Sequence, residues 1–240
     1  MPLAHRLAFK VLALCALATS LPAVPGKGAQ SAVEITYEVS FDDYSGGSTL
    51  QWLARKGFTP KRDADNPRSV IFSFAEKSLG LETKRPAAGL LLNEKDVLSY
   101  SRIRIIWEVA IFPAGASYAK GVRSEAVMIL VFFGKKKLPS GSFLIPDSPY
   151  FIGLLLCDSD PVGQAFNGRY FQVGGRYVCL DHATAGQWIV SDYPIANAFR
   201  QLFGQSEVPA ISGFGISIDT ESVKGNGIAK SFVKKIEFIK

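Results

Sequence analysis

The first 33 residues of this chain contain no aspartate and no glutamate, and histidine and cysteine are scarce along its whole length. Histidine occurs twice, as His5 and His182, and cysteine three times, as Cys15, Cys157 and Cys179. So few soft ligands argue against a thiolate or imidazole metal centre, which needs several of them converging. A hydrolase triad would have to use His182, which follows a strand-like run in Leu180-Asp181-His182-Ala183-Thr184 and reads as an exposed loop residue. The stretch Gly115-Ala116-Ser117-Tyr118-Ala119 lacks the closing glycine of a nucleophile elbow and its strand-turn-helix setting. No apolar run is long enough to span roughly 30 Å of hydrocarbon. The run nearest the start is interrupted by Thr19, Ser20 and Pro22.

That N-terminal run has another meaning. Arg6 and Lys10 precede Val11 to Leu17, small residues follow, and Pro25-Gly26-Lys27-Gly28 closes the segment. Positive charge, then apolar residues, then small ones is the order of a secretory signal peptide. A signal over residues 1–28 and one domain over 31–240 are expected, with a periplasmic or secreted destination. Cleavage fits at Ala18-Thr19-Ser20 or at Val24-Pro25-Gly26. The lipoprotein-like Leu12-Ala13-Leu14-Cys15 is set aside because Leu14 is too large beside the cysteine. Loss of residues 1–28 removes Arg6, Lys10 and Lys27 and no acid, so 27 basic residues become 24 against 21 acidic. Such a mild excess favours solubility and is no nucleic-acid footprint. Lys135-Lys136-Lys137 reads as a solvated turn guarding a sticky strand. Cys157 and Cys179 either pair in an oxidising compartment or stay as two buried thiols, and both readings are open.

Beyond the signal the pattern is mostly strand. In Arg102 to Phe112, Ile103, Ile105, Trp107, Val109 and Ile111 share one face, and the period is two. Ala126 to Phe133 is apolar without alternation, as in a strand covered on both faces. Further strands are expected at 34–41, 69–74, 79–84, 88–92, 150–157, 170–173, 176–180, 187–192, 211–219 and 231–239. Thr49 to Arg55 reads as one short helical turn. Ile195 to Phe203 reads as a helix, with Pro194 at its start and Gly204 as its stop. Short strands with turns roughly every 8–12 residues predict an all-β domain, two antiparallel sheets packed face to face. Trp107, Val109, Ile129, Val131, Phe133, Leu155, Ile216, Ile218 and Ile236 are its expected core.

Three blocks carry a resemblance. The first is Ile105-Ile106-Trp107-Glu108-Val109 with Gly121 to Phe133; the second is Asp192-Tyr193 with Phe199 to Gly204; the third is Ile211 to Ser222 with Ser231 to Phe238. In order and spacing they resemble the DUF3047 family of bacterial exported proteins, whose third block reads "I-x-G-I-A-I-M-T-D-T-D-N-T". Here Glu221 and Ser222 replace the second Asp and the Asn, and only Glu125 is acidic in Arg123-Ser124-Glu125. The resemblance covers roughly Glu34 to the C-terminus. It implies a jelly-roll sandwich similar to galactose-binding and carbohydrate-binding modules, and it implies no reaction.

Candidate sites follow from side-chain chemistry. On a strand, residues two apart share a face, so Asp219 and Glu221 can converge. With Glu125 they are the candidate ligands of a structural calcium ion, which takes carboxylate and carbonyl oxygens. Asp158/Asp160 and Asp42/Asp43 are the other close carboxylate pairs, and no residue is assigned a catalytic role. Trp188, Trp52, Tyr44 and Tyr118 are the candidate exposed platforms for a sugar. The expected function is a non-catalytic exported module binding a glycan or another polar envelope ligand. The alternatives are an envelope scaffold that binds another protein, and a polysaccharide-acting enzyme.

Overall fold

A computed structural model describes residues 33–240, and the expected signal lies outside the described residues. Thirteen strands and two helices follow in order: β1 (Ile35–Ser40), α1 (Thr49–Arg55), β2 (Phe58–Arg62), β3 (Val70–Ala75), β4 (Ser78–Lys84), β5 (Ala88–Asn93), β6 (Arg102–Ile111), β7 (Glu125–Leu138), β8 (Ser148–Cys157), β9 (Ala165–Phe166), β10 (Gly175–His182), β11 (Trp188–Tyr193), α2 (Ile195–Phe203), β12 (Ile211–Asp219) and β13 (Ile228–Ile239). They form a β-sandwich. One sheet runs β11-β6-β13-β4-β3 with β1 also on β13; the other runs β2-β5-β12-β7-β8-β10-β9.

Both helices stand where the sequence places them. Ser48 caps α1 by accepting a hydrogen bond from the Gln51 N–H, and Gly204 ends α2 in the left-handed region at φ 63°. The period-two strand β6 turns Ile103, Ile105, Trp107 and Val109 into the space between the sheets. There they meet Val127, Ile129, Val131 and Phe133 of β7 and Phe214, Ile216 and Ile218 of β12. Trp107 is fully buried, and its indole N–H donates to Ser191 Oγ at 2.9 Å, so no polar atom is stranded in the apolar layer.

The structure departs from the sequence expectations in four places. Strands β8 and β10 pair in parallel, so the seven-stranded sheet is not wholly antiparallel. Parallel neighbours need a long crossover, and residues 158–174 supply it across the outside of the sheet. The expected strand 170–173 belongs to that crossover and is turn, because Phe171 adopts φ 57°. Lys135-Lys136-Lys137 is not a turn but the exposed far end of β7, whose Leu138 pairs with Ser148. Finally β2 was hidden by Pro60, Lys61 and Arg62; it is an edge strand, where a proline and charged side chains are tolerated.

Candidate functional site

The outer face of the seven-stranded sheet is where this sandwich departs from a simple greasy-in, polar-out pattern. Met128 and Leu130 of β7 and Phe151 and Leu155 of β8 point outward yet are buried. The crossover lays Phe166 and Phe171 over them, and the loop before β7 lays Tyr118 there. This is why Ala126 to Phe133 shows no alternation: both of its faces are covered. Leu155, expected in the main core, belongs to this second apolar cluster. Cys157 and Cys179 lie in it too and are joined as a disulfide between β8 and β10, with Cα atoms 5.8 Å apart. Gly153 is required at its centre, since a Cβ there would meet Met128 Sδ and Tyr177 Cδ1.

At one end of this face the carboxylates gather. Asp219 of β12 stands opposite Glu125 of β7 in the strand register. Tyr118, 5 % exposed, donates its hydroxyl to Glu125 Oε2 at 2.7 Å and rests its ring on Tyr177 and Phe166, centroids 5.2 and 6.1 Å away. Asp160, itself buried, holds that tyrosine in place by accepting from Ser117 Oγ and the Tyr118 N–H, each at 2.7 Å, and from the Ala119 N–H at 3.1 Å. His182 Nε2 donates in turn to the Asp160 carbonyl at 2.6 Å. Burial, then the nearby charge of Asp219, pushes the Glu125 carboxyl up to about 8, against the pull of Tyr118, Arg62 and Ser217. Burial also raises Asp219, although Arg62 pulls it down. A void beside Glu125 is about 10 Å³ in size, at the limit for a single water.

Arg62 closes this end. Its guanidinium reaches Asp219 Oδ2 at 3.0 Å and Glu221 Oε2 at 2.6 Å. The acids expected to hold calcium are engaged within the protein. The positive charge between Asp219 and Glu221 is supplied by an arginine, and Glu125 accepts from the Tyr118 hydroxyl. Among the described residues no three metal-ligating side chains converge. Arg62 was invisible in the sequence because 157 positions separate it from Asp219.

The aromatic candidates do not form one platform. Trp52 is 2 % exposed, packed between Phe41 and Phe74, with its indole N–H on Asp43 Oδ1 at 3.0 Å. Tyr44 stacks on Phe74, centroids 4.9 Å apart, and spends its hydroxyl on the Gly47 carbonyl. Tyr118 is buried as described, so it and Trp52 are packing residues and not exposed platforms. Trp188 is half-buried on the outer face of the other sheet, under Lys234 Nζ at 4.4 Å. Its strand position opposite Glu108 puts it on the far side of the sandwich from Glu125.

The opposite end of the seven-stranded sheet is open. A cleft of about 450 Å³ lies there between the β5–β6 connection and the β7–β8 hairpin. Leu92, Phe132 and Gly213 form its floor, and Glu94, Asp96, Lys137 and Asp147 stand around it. Lys135 at the rim pairs with Asp96 at 3.2 Å, while the Asp147 carboxylate accepts from the Ser140 N–H. Sequence reading missed this cleft. Its only sequence signal is the charged Glu94-Lys95-Asp96 immediately after the apolar Leu90 to Leu92.

The chain is similar to several solved structures at low identity. It is similar to the xyloglucanase domain of NopAA, a type three effector from Sinorhizobium fredii, at 12 % identity and TM-score 0.44, over 78 % of this chain and 95 % of that one. It is similar to a thermostable cellulase derived from Cel12A of Rhodothermus marinus, at 11 % identity and TM-score 0.45, over 78 % and 94 %. It is also similar to the carbohydrate recognition domain of Emp46p, at 11 % identity and TM-score 0.44, over 86 % and 97 %. The chain matches no family profile and no curated protein.

Proposed function

We propose that this chain is an exported, non-catalytic module that binds a glycan or a similar hydroxyl-rich envelope ligand in the open cleft of the seven-stranded sheet. The cleft carries the proposal. Its floor of Leu92 and Phe132 offers a flat apolar surface, and its walls offer carboxylates and ammonium groups. A pyranose ring has the matching chemistry: apolar C–H faces and a belt of hydroxyls that carboxylates bind in pairs. The acids at the other end are engaged by Arg62 and Tyr118, and no catalytic role is assigned to them. Export rests on the N-terminal charge and apolar pattern, and membership of DUF3047 on the three blocks quoted above.

The test is thermal unfolding of residues 33–240 against a panel of oligosaccharides and polysaccharides. A ligand of the folded state raises the midpoint by mass action, about 2.7 kcal/mol at a hundredfold excess over its dissociation constant. The expected shift disappears in Phe132→Ala and Glu94→Ala, neither of which should unfold the domain. A panel with no shift overturns the proposal, as does a shift that survives both substitutions.

A further inference from the structure

The β7–β8 hairpin beyond the cleft ends in two adjacent apolar side chains with nothing over them. Phe143 is 97 % exposed and Leu144 is 77 % exposed. Single exposed hydrophobics are ordinary. A neighbouring pair at a loop tip is different, because both lose water contact together when the tip meets an apolar phase. The exposed Val173 lies in the adjacent turn, which is tied to the hairpin by the Phe171 N–H to the Ser140 carbonyl at 2.8 Å.

This tip is held out and not left to collapse. Ser140, 1 % exposed, donates its hydroxyl to the Ile145 and Ser142 carbonyls at 2.6 and 2.9 Å. Its N–H donates to Asp147 Oδ1 at 3.0 Å, and the Leu144 N–H donates to Ser142 Oγ at 3.2 Å. These bonds pair several of the turn's polar groups internally, which lowers the cost of taking its tip out of water. Behind it stand the exposed Lys135, Lys136 and Lys137 on β7. Glu94, Asp96 and Asp147 are the acids beside them; Asp96 pairs with Lys135, and Asp147 is used by the Ser140 N–H.

We infer that Phe143 and Leu144 form a finger that inserts into the interface of an anionic lipid membrane, with Lys135, Lys136 and Lys137 on the headgroup phosphates. Apolar tip and basic stem are the two components that reversible interfacial binding requires. Lys135 and Lys137 also line the cleft, but Phe143, Leu144 and Lys136 do not, so these three test the inference separately from the glycan reading.

Residues 33–240 hold their own core and are the form to test, because the apolar N-terminal run would bind vesicles by itself. The experiment is co-sedimentation with vesicles of phosphatidylcholine, alone or mixed with phosphatidylglycerol. The protein should pellet with the mixed vesicles, less so at high salt. Phe143→Ser with Leu144→Ser should lower the bound fraction roughly tenfold or more. Lys136→Glu, which leaves the cleft lysines intact, should lower it about fivefold or more, on the mixed vesicles only. Emission of Phe143→Trp should shift to the blue on vesicle addition. A protein that stays in the supernatant with every vesicle overturns the inference, as does a double serine variant that binds like the parent. If the same tip variant loses a protein contact while vesicles never bind, the finger is a protein-docking element and the lipid reading is wrong.

Discussion

The two ends of the seven-stranded sheet's outer face use the same strands to opposite effect. On β12 and β7, Asp219 and Glu125 sit under a tyrosine and an arginine, while Gly213 and Phe132 lie open to a cleft of about 450 Å³. The closed end has a cause in topology. Pairing β10 in parallel with β8 forces residues 158–174 across the sheet, and Asp160 in that crossover pins the Tyr118 loop beside it. The open end lies outside what these two covers reach. The acids that pair in sequence are here engaged by Arg62 and Tyr118, and the cleft opens where that cover stops.

The sharpest way to break this contrast is to remove the lid. Tyr118→Ala deletes a buried ring from between Tyr177 and Phe166 and takes the hydroxyl from Glu125. Truncating a buried aromatic of this size costs about 3–5 kcal/mol. Chemical denaturation should show that loss, and glycan affinity at the far end should be unchanged. If glycan binding falls with it, the two ends are not independent.

A second effect appears with pH and has a definite sign. The Glu125 carboxyl is raised from 4.5 to about 8 by burial and by the charge of Asp219. Below the unfolded value both states hold the proton and nothing changes. Between the two values the folded protein keeps a proton that the unfolded chain releases, so stability falls as pH rises, by at most about 1.4 kcal/mol per pH unit. Above the folded value the loss is complete. Glu125→Gln should flatten this decline, leaving a residual slope from Asp219 and Glu108, which burial also raises. A parent whose stability climbs across the window would show that Glu125 is ionised and the end is not sealed.

Sequence was a good guide wherever one local rule decides the outcome. Alternation set β6, Pro194 and Gly204 bounded α2, and every residue expected in the core is buried. It was poor wherever distant segments meet. Nothing local distinguishes an exposed tyrosine from Tyr118, whose burial depends on a crossover some forty positions later that carries Asp160. Nothing local pairs Arg62 with Asp219, or tells that Cys157 and Cys179 are brought side by side by a parallel register. The proposed site is assembled from the β5–β6 connection and the β7–β8 hairpin, so no single motif could have announced it.

The smallest expected effect tests the open end by the same kind of truncation. Phe132 is half-buried on the cleft floor, and its ring touches Phe151 with centroids 5.8 Å apart. Water already reaches one side of it, so Phe132→Ala leaves a dent and not a closed cavity. The cost should be about 1 kcal/mol, well below the usual figure for an enclosed aromatic. The pair Tyr118→Ala and Phe132→Ala thus asks one question of two residues on one face: how much of each ring's contribution goes to stability. A loss at Phe132 as large as that at Tyr118 would mean the cleft is closed in solution, and the place for a ligand would have to be sought elsewhere.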